Sequence, residues 1–224
     1  MISVVIPTLD AATGLRGCLT ALVPAAMQGL VREVVIADGG SADATLEIAE
    51  ETGARVVTGA AGRGAQLAAG CAEAKGPWLL VLHADTRLEP DWSGAARRHI
   101  AEHPEQAGWF GFALDDPRPL ARLWEAGVGL RSRWAALPYG DQGLLLSKAL
   151  YEGVGGYRPL PLMEDVDLVR RLGRRRLRPL GARAVTSAER YRREGYARRS
   201  ARNAWLLARY LTGADAGELA RRYD

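Results

Sequence analysis

An α/β fold is predicted, with a mostly parallel central sheet flanked by helices and a helical appendage at the C-terminal end. Three observations carry this. Short β-branched or aliphatic runs recur at Ile2 to Pro7, Glu33 to Asp38 and Trp78 to Leu82, helix-compatible stretches separate them, and the connections are short and Gly-rich. The runs are apolar on both faces rather than alternating, as expected of strands covered by helices on either side.

In chain order, ISVVIP is a buried strand stopped by Pro7, and Leu15 to Leu22 is helical. EVVIAD is the second strand. A helix with apolar positions Leu46, Ile48 and Ala49 follows, with Ser41 standing where an N-cap belongs. Arg55 to Thr58 makes a shorter strand, Gln66 to Ala74 a helix, and WLLVL another core strand. After Asp91 the rhythm changes. A helix over Asp91 to Glu102 leads to an aromatic, Gly-containing segment, Trp109 to Leu114, and then to an Arg/Trp/Leu stretch, Leu120 to Leu137, with no strand signature. Leu144 to Ser147 is a last strand and Glu164 to Leu172 an amphipathic helix. Glu189 to Tyr223 supports one or two helices with a break at Gly213. No linker or repeat interrupts the chain, so one domain over 1–224 is expected.

A chain of 224 residues buries roughly 70–75% of its extended surface on folding, enough for a core without staples. Hydrophobic residues at 48% and charged residues at 25% exclude disordered, collagenous and disulfide-scaffold classes. No apolar run is long enough for a spanning helix and no basic segment precedes the first strand, so a cytoplasmic protein is expected. Cys18 and Cys71 lie in Ala/Leu-rich surroundings and read as buried thiols. The net charge of +4 comes with Lys75 and Lys148 as the only lysines, and arginines crowd the C-terminal third. Genomic bias and recognition of anionic groups by guanidinium both remain open.

In an open parallel sheet the ligand lies beyond the carboxyl ends of the strands. The first strand ends in Pro7-Thr8-Leu9-Asp10, the second in Asp38-Gly39-Gly40-Ser41, and the Trp78 run in His83-Ala84-Asp85-Thr86. Asp38 can accept hydrogen bonds from a base, and Gly39 lets a flat ring approach the backbone. A GxGxxG turn is absent after the first strand, which disfavours a dinucleotide-binding dehydrogenase. Gly62-Arg63-Gly64 opens a helix and suits a diphosphate. Asp85, with His83 on the same face of an extended chain, suits Mg²⁺ or Mn²⁺ bridging to that diphosphate.

The succession VVIPTLD, VVIADGGSADAT, GRGAQLAAG, LLVLHADT, GDQGLLLSK and MEDVDLVRRL resembles the family-2 glycosyltransferases, from Ile2 to about Arg171. Within them, HADT, GDQG and the TSAERYRREG tail are most similar to the radical-SAM/selenodomain-associated subgroup. The resemblance implies the GT-A fold of nucleotide-diphospho-sugar transferases. It also implies a metal-assisted, inverting, hexosyltransferase-like enzyme using Mg²⁺ or Mn²⁺ and a nucleotide-diphosphate sugar, with a UDP-sugar favoured. Pro7, Thr8, Asp38, Gly39, Arg63, Ala84 and Asp85 then fall at the nucleotide, and Asp85 and His83 at the metal, His83 standing where the family has its first carboxylate. Asp165 matches the base that deprotonates the acceptor, with Glu164 tuning it. The chain divides by this likeness into a nucleotide-sugar-binding part over about 1–115, an acceptor and catalytic part over about 116–188, and C-terminal helices over about 189–224.

Asp141 and Gln142, a polar pair between glycines, are assigned to acceptor or sugar hydroxyls, and Trp109 to the face of a sugar or acceptor. Trp124, Trp134 and Tyr139 share that aromatic region. Two other readings stay open: a sugar-phosphate nucleotidyltransferase on the same fold, and a non-catalytic nucleotide- or anion-binding protein. Nucleic acid is not an expected partner. Trp205, Leu206, Leu207, Tyr210 and Leu211 beside the arginines leave peripheral membrane contact or a homodimer open.

Overall fold

A first strand with apolar residues on both faces must be covered on both sides, and Ile2–Thr8 (β1) is buried along its whole length. The computed structural model describes residues 1–59, 61–134 and 136–222; Ala60, Ala135, Tyr223 and Asp224, including the end of the helical stretch expected through Tyr223, lie outside the described residues. From β1 the chain passes through Ala12–Met27 (α1) to Val31–Asp38 (β2), and through Thr45–Glu51 (α2) to Arg55–Thr58 (β3). Arg63–Glu73 (α3) then leads to Trp78–Val81 (β4). These strands are parallel in the order β3-β2-β1-β4. The winding therefore reverses between β1 and β4, and a crevice opens beyond the carboxyl ends of strands at such a point.

The remaining chain continues through Thr86–Leu88 (β5), Trp92–Glu102 (α4), Ala107–Leu114 (β6) and Pro119–Trp134 (α5). A 3₁₀ turn at Gly140–Gln142 precedes Leu144–Ser147 (β7), which runs into Lys148–Gly153 (α6). Then come Glu164–Leu172 (α7), Leu177–Thr186 (β8), Glu189–Glu194 (α8), Tyr196–Leu211 (α9) and Ala216–Ala220 (α10). All the strands join one eight-stranded sheet, β3-β2-β1-β4-β7-β6-β8-β5.

The sheet is mixed with a parallel majority, four of seven pairings being parallel. β7 starts from a turn already at the carboxyl edge of β4, so it must run back antiparallel to both β4 and β6. β5 and β8 were not expected as strands, and β8 pairs in parallel with β6 despite Pro179 and Gly181. Ser41 does not cap α2, whose N-cap is Ala44. The C-terminal stretch holds three helices rather than two, with breaks near Gly195 and Gly213, both at positive φ.

Side chains alternate across β1. Val4 and Ile6 join Leu15, Leu22 and Trp92 under α1 and α4, whereas Val5 packs with Leu67 and Leu168 under α3 and α7. Cys18 and Cys71 fall one in each layer, free and buried, and burial pushes both thiols up to about 12. Among the described residues no helix is long and apolar enough to cross a membrane.

Candidate active site

The carboxyl ends of β1 and β2 are tied together by Asp38, whose side chain is fully buried. Its Oδ1 accepts from the hydroxyls of Thr8 at 2.8 Å and Ser41 at 2.5 Å, and its Oδ2 from the Gly40 and Ser41 amides at 2.8 Å each. Those bonds outweigh burial and hold its carboxyl below the usual range. The carboxylate offers roughly four acceptor positions, and all are taken. Asp38 therefore builds the 39–41 loop, and in this arrangement no acceptor position is left over for the base expected there. Gln66 adds a second tie, donating to the Thr8 carbonyl at 2.6 Å and the Ala37 carbonyl at 3.0 Å. Gly39 leaves room for that amide: a Cβ there would stand 3.0 Å from Gln66 Nε2.

At the end of β4 the chain turns through His83, Ala84 and Asp85. The first turn of α1 lies directly on this loop, since a Cβ on Gly14 would come within 2.8 Å of Asp85 Cα and 2.9 Å of the Ala84 carbonyl. From the far side, Ser187 donates its amide to the Asp85 carbonyl at 3.3 Å, so β8 closes over the same loop. The Gly140–Gln142 turn sits alongside. A Cβ on Gly140 would lie 2.5 Å from His83 Nε2 and 3.3 Å from Asp165 Oδ2, so glycine there lets imidazole and carboxylate approach one turn.

α7 enters this edge from Met163, held at φ 65 in the left-handed region. That bend sets Glu164 and Asp165 at the first turn. Asp165 Oδ2 accepts from the Gly140 amide at 2.6 Å and its Oδ1 from the Val166 amide at 2.7 Å, which leaves each oxygen a second acceptor position. Glu164 is 1% exposed and faces the Arg63 guanidinium, Nε to Oε1 3.3 Å. The sequence assigns Arg63 to a phosphate loop and Glu164 to tuning the base Asp165; the pairing of Arg63 with Glu164 across a hundred residues has no local signal. α3 meets the loop before α7 through Gly64, whose amide donates to the Leu160 carbonyl at 3.2 Å.

The electrostatics follow from this crowding. Burial, then the Arg63 charge, drives the His83 imidazole down to about 3, so it is neutral at pH 7. Burial raises Asp141 to about 6, with Asp165 and Asp85 adding to the rise against Arg131, and its Oδ1 is buried without a hydrogen-bond partner. Burial likewise raises Glu164 to about 7, against the pull of Arg63 and with Asp165 adding to it. Asp85, Asp141 and Asp165, with the buried Glu164 behind them, thus share one edge with a neutral imidazole, although no three His, Cys, Asp or Glu side chains among the described residues form a cage by themselves.

Glu164 has a consequence for stability. The unfolded chain loses this proton near 4.5 and the folded chain near 7, so across that window the native state binds more protons. Stability should therefore fall as pH rises from about 4.5 to about 7. Glu164→Gln should flatten that part of a melting-temperature profile, and parallel profiles for the two proteins would contradict the assignment.

Gln142 is 1% exposed and its amide is engaged by the turn: Oε1 accepts from Ser132 at 2.7 Å and from the Tyr139 amide at 3.2 Å, and Nε2 donates to the Phe110 carbonyl at 3.1 Å. Its first part is to shape the turn that carries Asp141. With Trp109 it also lines a cavity of about 450 Å³ between α5 and the β6/β8 strands, with Leu130, Trp134, Arg133 and Arg183 among the other walls. Tyr139 carries the Arg131 guanidinium 3.5 Å above its ring centroid.

A profile of the family described as Glycosyl transferase family 2 matches residues 3–158. No curated protein matches the chain. Among solved structures, S. aureus TarS is similar with a TM-score of 0.66 at 19% identity, covering 83% of this chain and 36% of that one. TarS 1-349 in complex with UDP gives the same score and identity, with 83% and 60% covered. Glucosyl-3-phosphoglycerate synthase from Mycobacterium tuberculosis, in complex with Mn²⁺, UDP and glucosyl-3-phosphoglycerate, gives a TM-score of 0.58 at 22% identity, with 82% and 71% covered. The chain spans about a third of the TarS chain, and the likeness at these identities is one of fold, GT-A.

Proposed function

Because the chain belongs to glycosyl transferase family 2, we propose that it moves a sugar from UDP-sugar to an acceptor hydroxyl in one inverting displacement, with Asp165 as base. The observation that supports this most is Asp165 itself. Its two oxygens are oriented by backbone amides, each keeps a position for a hydroxyl, and it lies at the edge that also carries His83, Asp141 and Arg63. UDP is the nucleotide named in the TarS and mycobacterial synthase complexes, which is why it is the first choice.

In the reaction the acceptor oxygen attacks the anomeric carbon as the bond to the diphosphate breaks, the electron pair leaving with UDP and the acceptor proton passing to Asp165. Thr8, Pro7, Gly39 and Ala84 line the nucleoside side, and Asp38 acts there through the loop it holds. Arg63 faces both the diphosphate and Glu164, so it links donor arrival to the acidic pair. Asp141, Gln142 and Trp109 face the sugar or acceptor.

A divalent cation fits the residues present. Asp141 Oδ1 is buried and unpartnered while Asp85 and Asp165 add negative charge beside it, a field that a cation relieves. Asp85 and His83 would hold Mg²⁺ or Mn²⁺, the neutral imidazole leaning toward Mn²⁺. Such an ion, when bound, neutralises charge on the leaving diphosphate. The proposal carries with it the division at about 115 and 188, a cytoplasmic setting and kinship with the radical-SAM-associated subgroup, which rests on the HADT, GDQG and TSAERYRREG motifs.

Calorimetric titration of UDP into wild type and Asp85→Ala, each with and without Mn²⁺, tests the site. Wild type should bind at least tenfold more tightly with Mn²⁺, and the variant should lose that gain. Equal affinities in all four titrations would remove the metal from the reading.

A further inference from the structure

α5 carries apolar residues on its outward side as well as its core side. Its buried residues are Ala121 and Ser132, whereas Leu120, Leu123, Leu130 and Trp134 are 45%, 65%, 59% and 74% exposed. Positions 120, 123, 127, 130 and 134 form one stripe along a helix, interrupted only by Gly127. A surface helix ordinarily turns one apolar stripe to the core and a polar face outward. Here Ala121, Trp124 and Val128 already pack inward against Phe112, Leu114, Tyr191 and Tyr196, and Glu125 accepts from the Leu114 amide at 2.8 Å and pairs with Arg183 at 3.1 Å, so the exposed stripe is a second apolar face that the core does not use.

The charges around the stripe have one sign. Arg174 donates to the Trp134 carbonyl at 3.0 Å, which brings the exposed Arg174–Arg176 turn to the C-terminal end of the stripe, beside the exposed Arg133. Arg122 flanks the other end. The only acid in α5 is Glu125, whose side chain is 9% exposed and paired with Arg122 and Arg183. An isologous contact between two copies of α5 would add positive charge to positive charge, with no carboxylate on the outward face to offset it. An apolar stripe bordered by guanidinium groups instead matches a surface that has anionic heads over an apolar interior.

We propose that α5 lies in the surface of an anionic lipid bilayer, with Leu120, Leu123 and Leu130 in the acyl boundary, Trp134 at headgroup level, and Arg133 with Arg174–Arg176 on the lipid phosphates. Leu130, Arg133 and Trp134 also wall the cavity that Trp109 and Gln142 line, so this face adjoins the region assigned to the sugar or acceptor, while the vesicle test below does not depend on transfer activity. It moves the expected membrane contact away from α9, where the exposed Trp205 ring already carries Arg209 and Arg222 at 5.9 and 5.8 Å.

Co-sedimentation of the full chain with phosphatidylglycerol/phosphatidylcholine vesicles, and with pure phosphatidylcholine vesicles, tests it. Wild type should pellet with the anionic vesicles and stay in solution with the neutral ones. The Arg174→Glu/Arg175→Glu/Arg176→Glu variant should bind on the order of a hundredfold more weakly, and Leu123→Glu/Leu130→Glu at least tenfold more weakly. Met27→Glu, at an 85% exposed position on α1, should bind as wild type does. Because every substituted residue is exposed, circular dichroism should match throughout. Absence of wild-type binding to anionic vesicles, or undiminished binding by either stripe or arginine variant, overturns the proposal. So does a dimer in sedimentation equilibrium that Leu123→Glu/Leu130→Glu dissociates, since the stripe then belongs to a second copy.

Discussion

Replacing Asp165 by Asn is expected to slow sugar transfer by about 10²–10⁴-fold, the usual worth of a positioned base, while UDP binds nearly as well as to wild type. The amide keeps the size of the carboxylate but cannot take the acceptor proton. It also keeps only one oxygen, so either the Gly140 or the Val166 amide loses its acceptor, at about 1–3 kcal/mol of stability. Melting temperatures therefore have to accompany the rates. Glu164→Gln should cost less transfer, because the Glu164 carboxyl meets Arg63 and the protein interior rather than the cleft. With an acceptor in hand, product stereochemistry by NMR and single-turnover rates decide the point. Retained configuration, or near-normal transfer by Asp165→Asn, would reduce the acidic pair to the start of a helix.

Asp38→Ala should lower unfolding free energy by about 2–4 kcal/mol, since partly buried backbone amides are left without an acceptor at about 1–3 kcal/mol each. Four donors converge on this carboxylate, and in the alanine variant two backbone amides and two hydroxyls lose their acceptor in the 39–41 loop. UDP affinity should fall with it, which by itself does not separate loop from recognition. Asp38→Asn does. Its amide nitrogen can donate to the Thr8 and Ser41 hydroxyls, which turn to accept, while its oxygen still receives the Gly40 and Ser41 amides. Stability by urea unfolding should stay close to wild type, and because the loop is kept, UDP affinity should stay close to wild type too. A tenfold or greater loss of UDP affinity in Asp38→Asn would mean that the nucleotide meets the carboxylate itself and not only the loop it builds.

What the sequence by itself determined were features carried by local pattern. Both-face apolar runs marked β1, β2, β4 and β7, since a strand covered on two sides has no polar position to spare. The acidic start and amphipathic period of Glu164–Leu172 marked α7, and the carboxyl-terminal residues Thr8, Asp38, His83 and Asp85 marked the edge where the site lies. The order of motifs named the family that residues 3–158 match. Tertiary structure alone decided the rest, because it depends on partners distant in the chain. β8 contains Pro179 and Gly181 and has no strand signature of its own, yet its pairing with β6 and β5 supplies the bonds that local propensity does not. The same pairing closes the far side of the Asp85 loop. Arg63 and Glu164 are joined only because α3 and α7 pack on one face of the sheet, and Gly140 matters only because His83 and Asp165 arrive there from opposite halves of the chain. Asp38 looked free because sequence lists its neighbours but not their directions; folding turned Thr8, Gly40 and Ser41 all toward it. The leucines of α5 were legible only as part of an Arg/Trp/Leu stretch; that they form a helical stripe, and that it faces outward, was decided by the tertiary structure, because α5 packs its other side on β6.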